Sequence, residues 1–560
     1  MQGDHQLNGF GKFLYTQNPF YLISACLVFY GFRVSFGNGL GGIFSPWPLA
    51  AALCGYTLLI AVTAFVLIRF GRVWEDARSL VLILLLLFLA ISVSFDETCR
   101  TDPAVATRVL LLGLCFSALI SEALIRGLKI QFPLLYRVPF YLFLSLFFVY
   151  PLWVSESVAR VSAETISWRI FLFPVFAAVV ALTLIPAIHR RAEYVRANGT
   201  PWRWPLFPWT VFVFLAFGVC CRSYILSLSF DPQPTAELSS AFGVYFLIPF
   251  FFAIVVLITE IAIVERKPGL QSLAFSAAPM LLLLSAPLGK SQVYSGFLGE
   301  VVETVGSPTW LTMVALVVYY IVAFSRGIRR SENWLCVVLL LACFVDRRTV
   351  GLTTITSVQW WPLLVIGTIQ LVRSIEVRSS LRCFLAATCV IVALAIVLRG
   401  TIGTTGTVAI AYHLIFFSAL AVGAVFEDRY TGLLRLFAAT MILASSLGVA
   451  LVGSYLHIPE VLRIGYSLIV AVACLELWRT WQEYRWLAAT AINVAAVLIV
   501  GLNYSGEALY HVVGPQGFYS LLFGAVFFIV AGLISAQKCG MLQKLWLMAK
   551  AWSSSDTGMM

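Results

Sequence analysis

Charge is what this chain has least of. Only 11% of its 560 residues are Asp, Glu, Lys or Arg, 61% are hydrophobic, and the mean hydropathy is +0.94. Soluble domains carry about 25% charged and about 45 to 50% apolar residues, so a water-soluble globular fold is excluded. Long polar stretches are also missing. Below roughly 40 residues a segment rarely folds alone, which leaves no room here for a separate catalytic or nucleic-acid-binding domain. Metal ligands are scattered: His5, His189, His413, His457 and His511 share no ligand spacing, and the 12 cysteines form no CxxC or Cys/His pattern. No metal site and no cofactor are therefore expected. Ten cysteines fall within or beside apolar runs, leaving Cys99 in an outer connector and Cys539 near the C-terminus. They read as small core hydrophobes, with no disulfide framework. The glycine run Gly37-Asn-Gly39-Leu-Gly41-Gly42 lacks the preceding strand and the Lys-Ser/Thr of a phosphate loop and reads as a turn, as does Thr401 to Thr407.

What is present is a succession of about 18 apolar runs, near residues 20–32, 46–68, 79–95, 104–125, 132–154, 169–188, 205–229, 241–264, 271–288, 308–325, 333–345, 359–372, 381–398, 408–426, 432–453, 462–478, 485–502 and 517–536. About 20 apolar residues cross the roughly 30 Å hydrocarbon core as a helix. The pattern predicts an all-α, polytopic transmembrane helical bundle of about 18 spans with short loops. No small-residue cleavage site follows the first run, which is expected to remain as a span.

The connectors alternate in charge. Counting residues at span ends with the adjoining connector, 25 Lys/Arg fall in the alternate set that begins with the N-terminus and ten in the other, with Arg137 and Arg222 inside spans. Asp and Glu divide 12 and 12, with Glu122 and Glu260 inside spans. Cytoplasmic connectors collect Lys and Arg. The net charge of +11 therefore reads as topology and not as a nucleic-acid footprint. Both termini are expected in the cytoplasm and the chain in the inner (plasma) membrane, with the lipid bilayer as its partner, a small-molecule or lipid substrate allowed, and protein partners open. Tryptophans near run ends, Trp74, Trp202, Trp204, Trp478 and Trp481 among them, suit the headgroup level.

Proline divides the chain. Fourteen of the 22 lie between Pro133 and Pro287, and only Pro362, Pro459 and Pro515 lie beyond residue 310. The expected organisation is a cytoplasmic tail (1–18), a proline-rich half of about nine spans (19–306), a proline-poor half of about nine spans (307–536) and a cytoplasmic tail (537–560). Pro139, Pro174, Pro249 and Pro279 fall inside runs, where the missing N–H and the ring clash kink a helix. The second half shows a spacing of about 50 residues in Arg382-Cys-Phe-Leu-Ala-Ala-Thr388, Arg435-Leu-Phe-Ala-Ala-Thr440 and Arg485-Trp-Leu-Ala-Ala-Thr490. This fits either stacked hairpins or the arithmetic of two spans and two short loops.

Charge inside a bilayer is costly and marks function by default. Glu260 and Arg222 are the leading candidates for an intramembrane polar site: Glu260 has no cation four residues on, and Arg222 lies in Gly218-Val-Cys-Cys-Arg-Ser-Tyr224. Each also fits an interhelical ion pair or snorkelling. Glu122, four residues before Arg126, suits a helical pair; Arg137 can reach headgroups; His413 suits a helix contact. Asp96 and Glu97, with Asp102, resemble the paired acids with which multi-span glycosyltransferases acting on lipid-linked substrates hold a divalent metal, although here they are not in the first outer connector and no external domain accompanies them. The segments Asn18-Pro-Phe-Tyr-Leu-Ile-Ser-Ala25, Trp74-Glu-Asp-Ala-Arg78 and Ser92-Val-Ser-Phe-Asp-Glu97 resemble uncharacterised polytopic bacterial inner-membrane proteins; the resemblance covers the first hundred residues and implies no activity. The leading expectation is a transporter- or permease-like protein. The rivals are a non-catalytic membrane scaffold and an intramembrane transferase acting on a lipid-linked substrate.

Overall fold

The structure is a computed structural model that describes residues 23–28, 30–31, 46–71, 74–158, 163–196, 198–230, 242–286, 292–348, 358–452 and 458–538. The tail expected over 1–18, all but the first two residues of the tail expected over 537–560, and the glycine run at 37–42 lie outside these residues. Among the described residues every regular element is helical, because a segment in lipid must satisfy its backbone internally. Among the described residues thirteen helices are long and apolar enough to cross a membrane, and each coincides with one of the 18 runs. The run at 20–32 lies partly outside the described residues, and the other four differ for local reasons. At 271–288 the helix α10 (Pro268–Ala277) gives way at Pro279 to a tight 3-10 turn before α11 (Leu281–Leu284). The runs near 333 and 359 form helices of 13 and 17 residues, and the run near 517 continues one helix beyond a kink at Gly514-Pro515. Of the expected kinks, Pro139 and Pro174 lie inside helices, whereas Pro249 sits in a first turn, where its absent N–H costs nothing.

The chain divides into two units, residues 1–362 and 363–560. The first contains α1 (Pro46–Val66), α2 (Trp74–Val93), α3 (Asp96–Thr101), α4 (Pro103–Gly127), α5 (Leu134–Val158), α6 (Ala163–Leu182), α7 (Ile185–His189), α8 (Leu206–Ser229), α9 (Ile248–Val264), α10, α11, α12 (Gln292–Thr304), α13 (Pro308–Ser325) and α14 (Arg330–Ala342). Helix starts are set by proline with a polar cap: Asp102 accepts from Ala104 N and Val105 N at 3.1 Å, and Ser307 accepts from Trp310 N at 3.1 Å. Phe147, Phe148, Phe173, Phe246 and Phe250 are buried in the core. Gly113 lets α4 approach, since a Cβ there would meet the Phe148 ring at 2.9 Å.

Contacts within this unit sort by connector. At one end, Trp74 packs edge-on to Trp202 at 5.6 Å, Gln131 N donates to Asn198 O at 2.9 Å, and Lys267 lies over Trp204 at 5.3 Å. All belong to the basic connectors. At the other end, Arg100 donates to Ser229 O at 3.0 Å and Trp168 Nε1 to Glu300 at 3.1 Å. The alternation read from charge is thus a property of the packing in this unit.

The second unit runs through α15 (Trp361–Val377), α16 (Ser380–Ile402), α17 (Thr404–Val425), α18 (Thr431–Val452), α19 (Glu460–Trp481) and α20 (Tyr484–Lys538). The segments at Arg382, Arg435 and Arg485 each begin alternate helices, α16, α18 and α20. The first two of these starts are tied by acids in later connectors. Asp428 accepts from Ser380 N at 2.8 Å and from its hydroxyl, and Glu483 accepts from Arg435 at 3.0 Å; each pair is separated by 48 residues.

Candidate functional site

The charges inside the spans are placed in three separate groups in the first unit. On α8, Arg222 is fully buried and reaches Asp96 through two parallel hydrogen bonds of 2.5 and 2.7 Å. Helix α3 turns Asp96 inward, while its neighbour Glu97 is exposed and Asp102 is spent on capping α4. The acids that resemble a metal pair therefore do not converge. On α4, Glu122 accepts from Arg137 at 2.8 Å, Tyr141 at 2.6 Å and Arg126 at 3.2 Å. On α9, Glu260 is buried with one oxygen 3.1 Å from His189 Nε2 and the other on Arg326. Both partners come from the basic connectors. Arg222 and Glu260 thus have separate ion-pair partners, and the structure does not bring the two leading candidates into one site. Paired in this way, each charge is neutralised where desolvation is expensive.

His413 has different surroundings. It lies near the middle of α17 and lines a cleft of about 430 Å³ together with Phe416, Phe417 and Leu420, with Ile442 of α18 and with Tyr466, Ile469, Cys474 and Thr480 of α19. Phe417 and Ile469 are 59% and 70% exposed, so the rim faces outward from the unit. The cleft descends from His413 and Tyr466 to Glu476 and Thr480 at the basic end, where Glu476 accepts from Arg479 at 2.7 Å. Its polar head is a linked array. His413 Nδ1 lies 2.7 Å from Ala409 O, Nε2 lies 2.7 Å from Tyr466 Oη, and Ser445 Oγ lies 2.8 Å from the same Oη. An apolar pocket of a few hundred Å³ with a small number of placed polar groups is the usual form of a small-molecule site.

Sequence reading put His413 in a helix contact, which it makes, but could not pair it with Tyr466, 53 residues away. It also counted Arg463 with an outer connector. In the structure Arg463 is 7% exposed on α19 and its Nε has no hydrogen-bond partner among the described residues. Among the described residues no three His, Cys, Asp or Glu side chains come together as a metal site.

At the basic end of the second unit, Asp428 also accepts from Tyr430 N at 3.1 Å and the Thr431 hydroxyl at 3.0 Å. Partial burial opposes its ionised form, but the hydrogen bonds from Ser380, Thr431 and Tyr430 outweigh it and hold the carboxyl below the ordinary range.

Helix length, apolar character and the paired internal charges define a multi-pass α-helical membrane protein. Comparison with protein families, curated proteins and solved structures gave no match for the chain.

Proposed function

We propose that this is a permease-like membrane protein that carries a lipid or lipid-like amphipath along the cleft of its second unit, seated in the plasma membrane with its basic end in the cytoplasm. The observation that carries the reading is the cleft itself: apolar walls and an outward-facing rim end near mid-helix at His413 and Tyr466, which are hydrogen-bonded to each other. Acyl chains need apolar surface, while a head group crossing the bilayer needs polar partners part of the way. The cleft supplies both, and it replaces Glu260 and Arg222 as the residue-level basis for transport. The transferase reading has less support because Asp96 is held by Arg222. A scaffold would need no such cleft.

The test is reconstitution of the purified protein into vesicles containing tail-labelled fluorescent lipids, followed by bleaching with external dithionite. Carriage predicts bleaching beyond the outer-leaflet half, and Tyr466→Trp, which fills the cleft, slows it. Bleaching that stops at half for every lipid head group would overturn the reading.

A further inference from the structure

We infer that the lipid taken by this unit is an acidic phospholipid and that Arg463, one turn outward of the cleft, holds its phosphate; the inference rests on the lipid-path reading above. Arg463 is 7% exposed, and none of its nitrogens makes a hydrogen bond or ion pair among the described residues. Four residues on, Ser467 is 1% exposed and its hydroxyl is likewise without a partner. Arg222, the other fully enclosed arginine, is answered by Asp96. A buried charge with no such answer is costly, and more so in lipid. An anion from outside the chain removes that cost.

The position of Arg463 says which anion. Arg463, Ser467, Val470 and Cys474 succeed one another at four, three and four residues, the spacing of one helix face. Val470 and Cys474 line the cleft. Followed along α19 away from the basic end, that wall leads to Ser467 and then to Arg463. The arginine is the fourth residue of α19, about one turn inside its start, which is the depth of the bilayer's own phosphates. A guanidinium presents a fork of N–H donors that fits phosphate oxygens, and a serine hydroxyl can donate to one more. Free phosphate would answer the charge and leave the apolar walls unfilled. A neutral glycolipid would fill the walls and leave the charge. A phospholipid with net negative charge does both.

The test is binding of tail-labelled phosphatidylglycerol and glucosyl diacylglycerol to the purified protein in neutral detergent, read as energy transfer from the protein's tryptophans to the label. Phosphatidylglycerol is expected to bind the wild type about tenfold more tightly than the glucosyl lipid, the ratio of one charge-assisted hydrogen bond. Arg463→Met should lower its affinity about tenfold and leave the glucosyl lipid within twofold. In lipid-free detergent the variant should unfold at a higher temperature than the wild type, because an uncompensated buried charge is gone; this also shows that it is folded. Equal affinities on the wild type, an equal loss of both lipids in Arg463→Met, or a lower lipid-free midpoint for the variant overturns the assignment. Displacement of phosphatidylglycerol by millimolar inorganic phosphate gives the arginine to the free ion and overturns it too. Carriage is judged apart, in the vesicle assay: phosphatidylglycerol that binds as expected and never crosses overturns the carrier reading and leaves the phosphate site standing.

Discussion

At the scale of single residues, the charges placed inside spans act first as partners for one another. Arg222 and Asp96 are buried against each other with 0% and 3% side-chain exposure. Removing one member leaves an uncompensated charge, which costs about 3 to 5 kcal/mol, whereas replacing both with apolar groups is often neutral. Arg222→Met is therefore expected to lower the unfolding midpoint strongly, and Arg222→Met with Asp96→Leu to restore most of the loss; thermal unfolding in detergent would show it, and a double variant no better than the single would refute the pairing. Asp428 gives a pH dependence of definite sign. Its folded pKa is depressed, so its contribution is complete above the unfolded value of about 3.9 and is lost as pH falls through the lower folded value. Asp428→Asn should be destabilising by about 1 kcal/mol at neutral pH, as for a lost helix cap, and the gap to wild type should narrow only below about pH 4. A gap that closes between pH 5 and 7 would assign the effect to another group.

At the scale of elements, the second unit ties two helix beginnings to acids from later connectors. The start of a helix is held by an acid from a later connector, Ser380 by Asp428 and Arg435 by Glu483, at the same 48-residue separation. Arg435 also lies 4.4 Å over the Trp481 ring and donates to Gly423 O at 3.0 Å. Both members of the Arg435–Glu483 pair are about one-quarter exposed, so screening limits its worth. A double-mutant cycle with Arg435→Ala and Glu483→Ala should give a coupling of about 1 kcal/mol; zero coupling would reduce the joint to coincidence of position. The Arg…Ala-Ala-Thr recurrence was legible in the sequence because it is local. Its acids were not, because Asp428 lies seven residues before Arg435 and Glu483 two before Arg485, and each reaches its partner only through packing.

At the scale of the whole molecule, the alternation of basic connectors predicts sidedness. Cysteine introduced at Arg203, Arg329 or Arg429 should react with a membrane-impermeant maleimide only after cells are opened, and cysteine at Glu97, Glu303 or Arg399 in intact cells. One position reacting from the opposite side would break the scheme. The sequence by itself determined the class and the thirteen spans that coincide with long helices, because a continuous apolar run has one stable form in lipid and its hydrogen bonds close within the segment. Only tertiary structure decided that Arg222 and Glu260 are separately paired, that Arg463 is buried, and that His413 meets Tyr466 in a cleft. Those outcomes depend on which faces of helices far apart in sequence come together, and an apolar helix surrounded by lipid carries little hydrophobic pattern to say which face that will be.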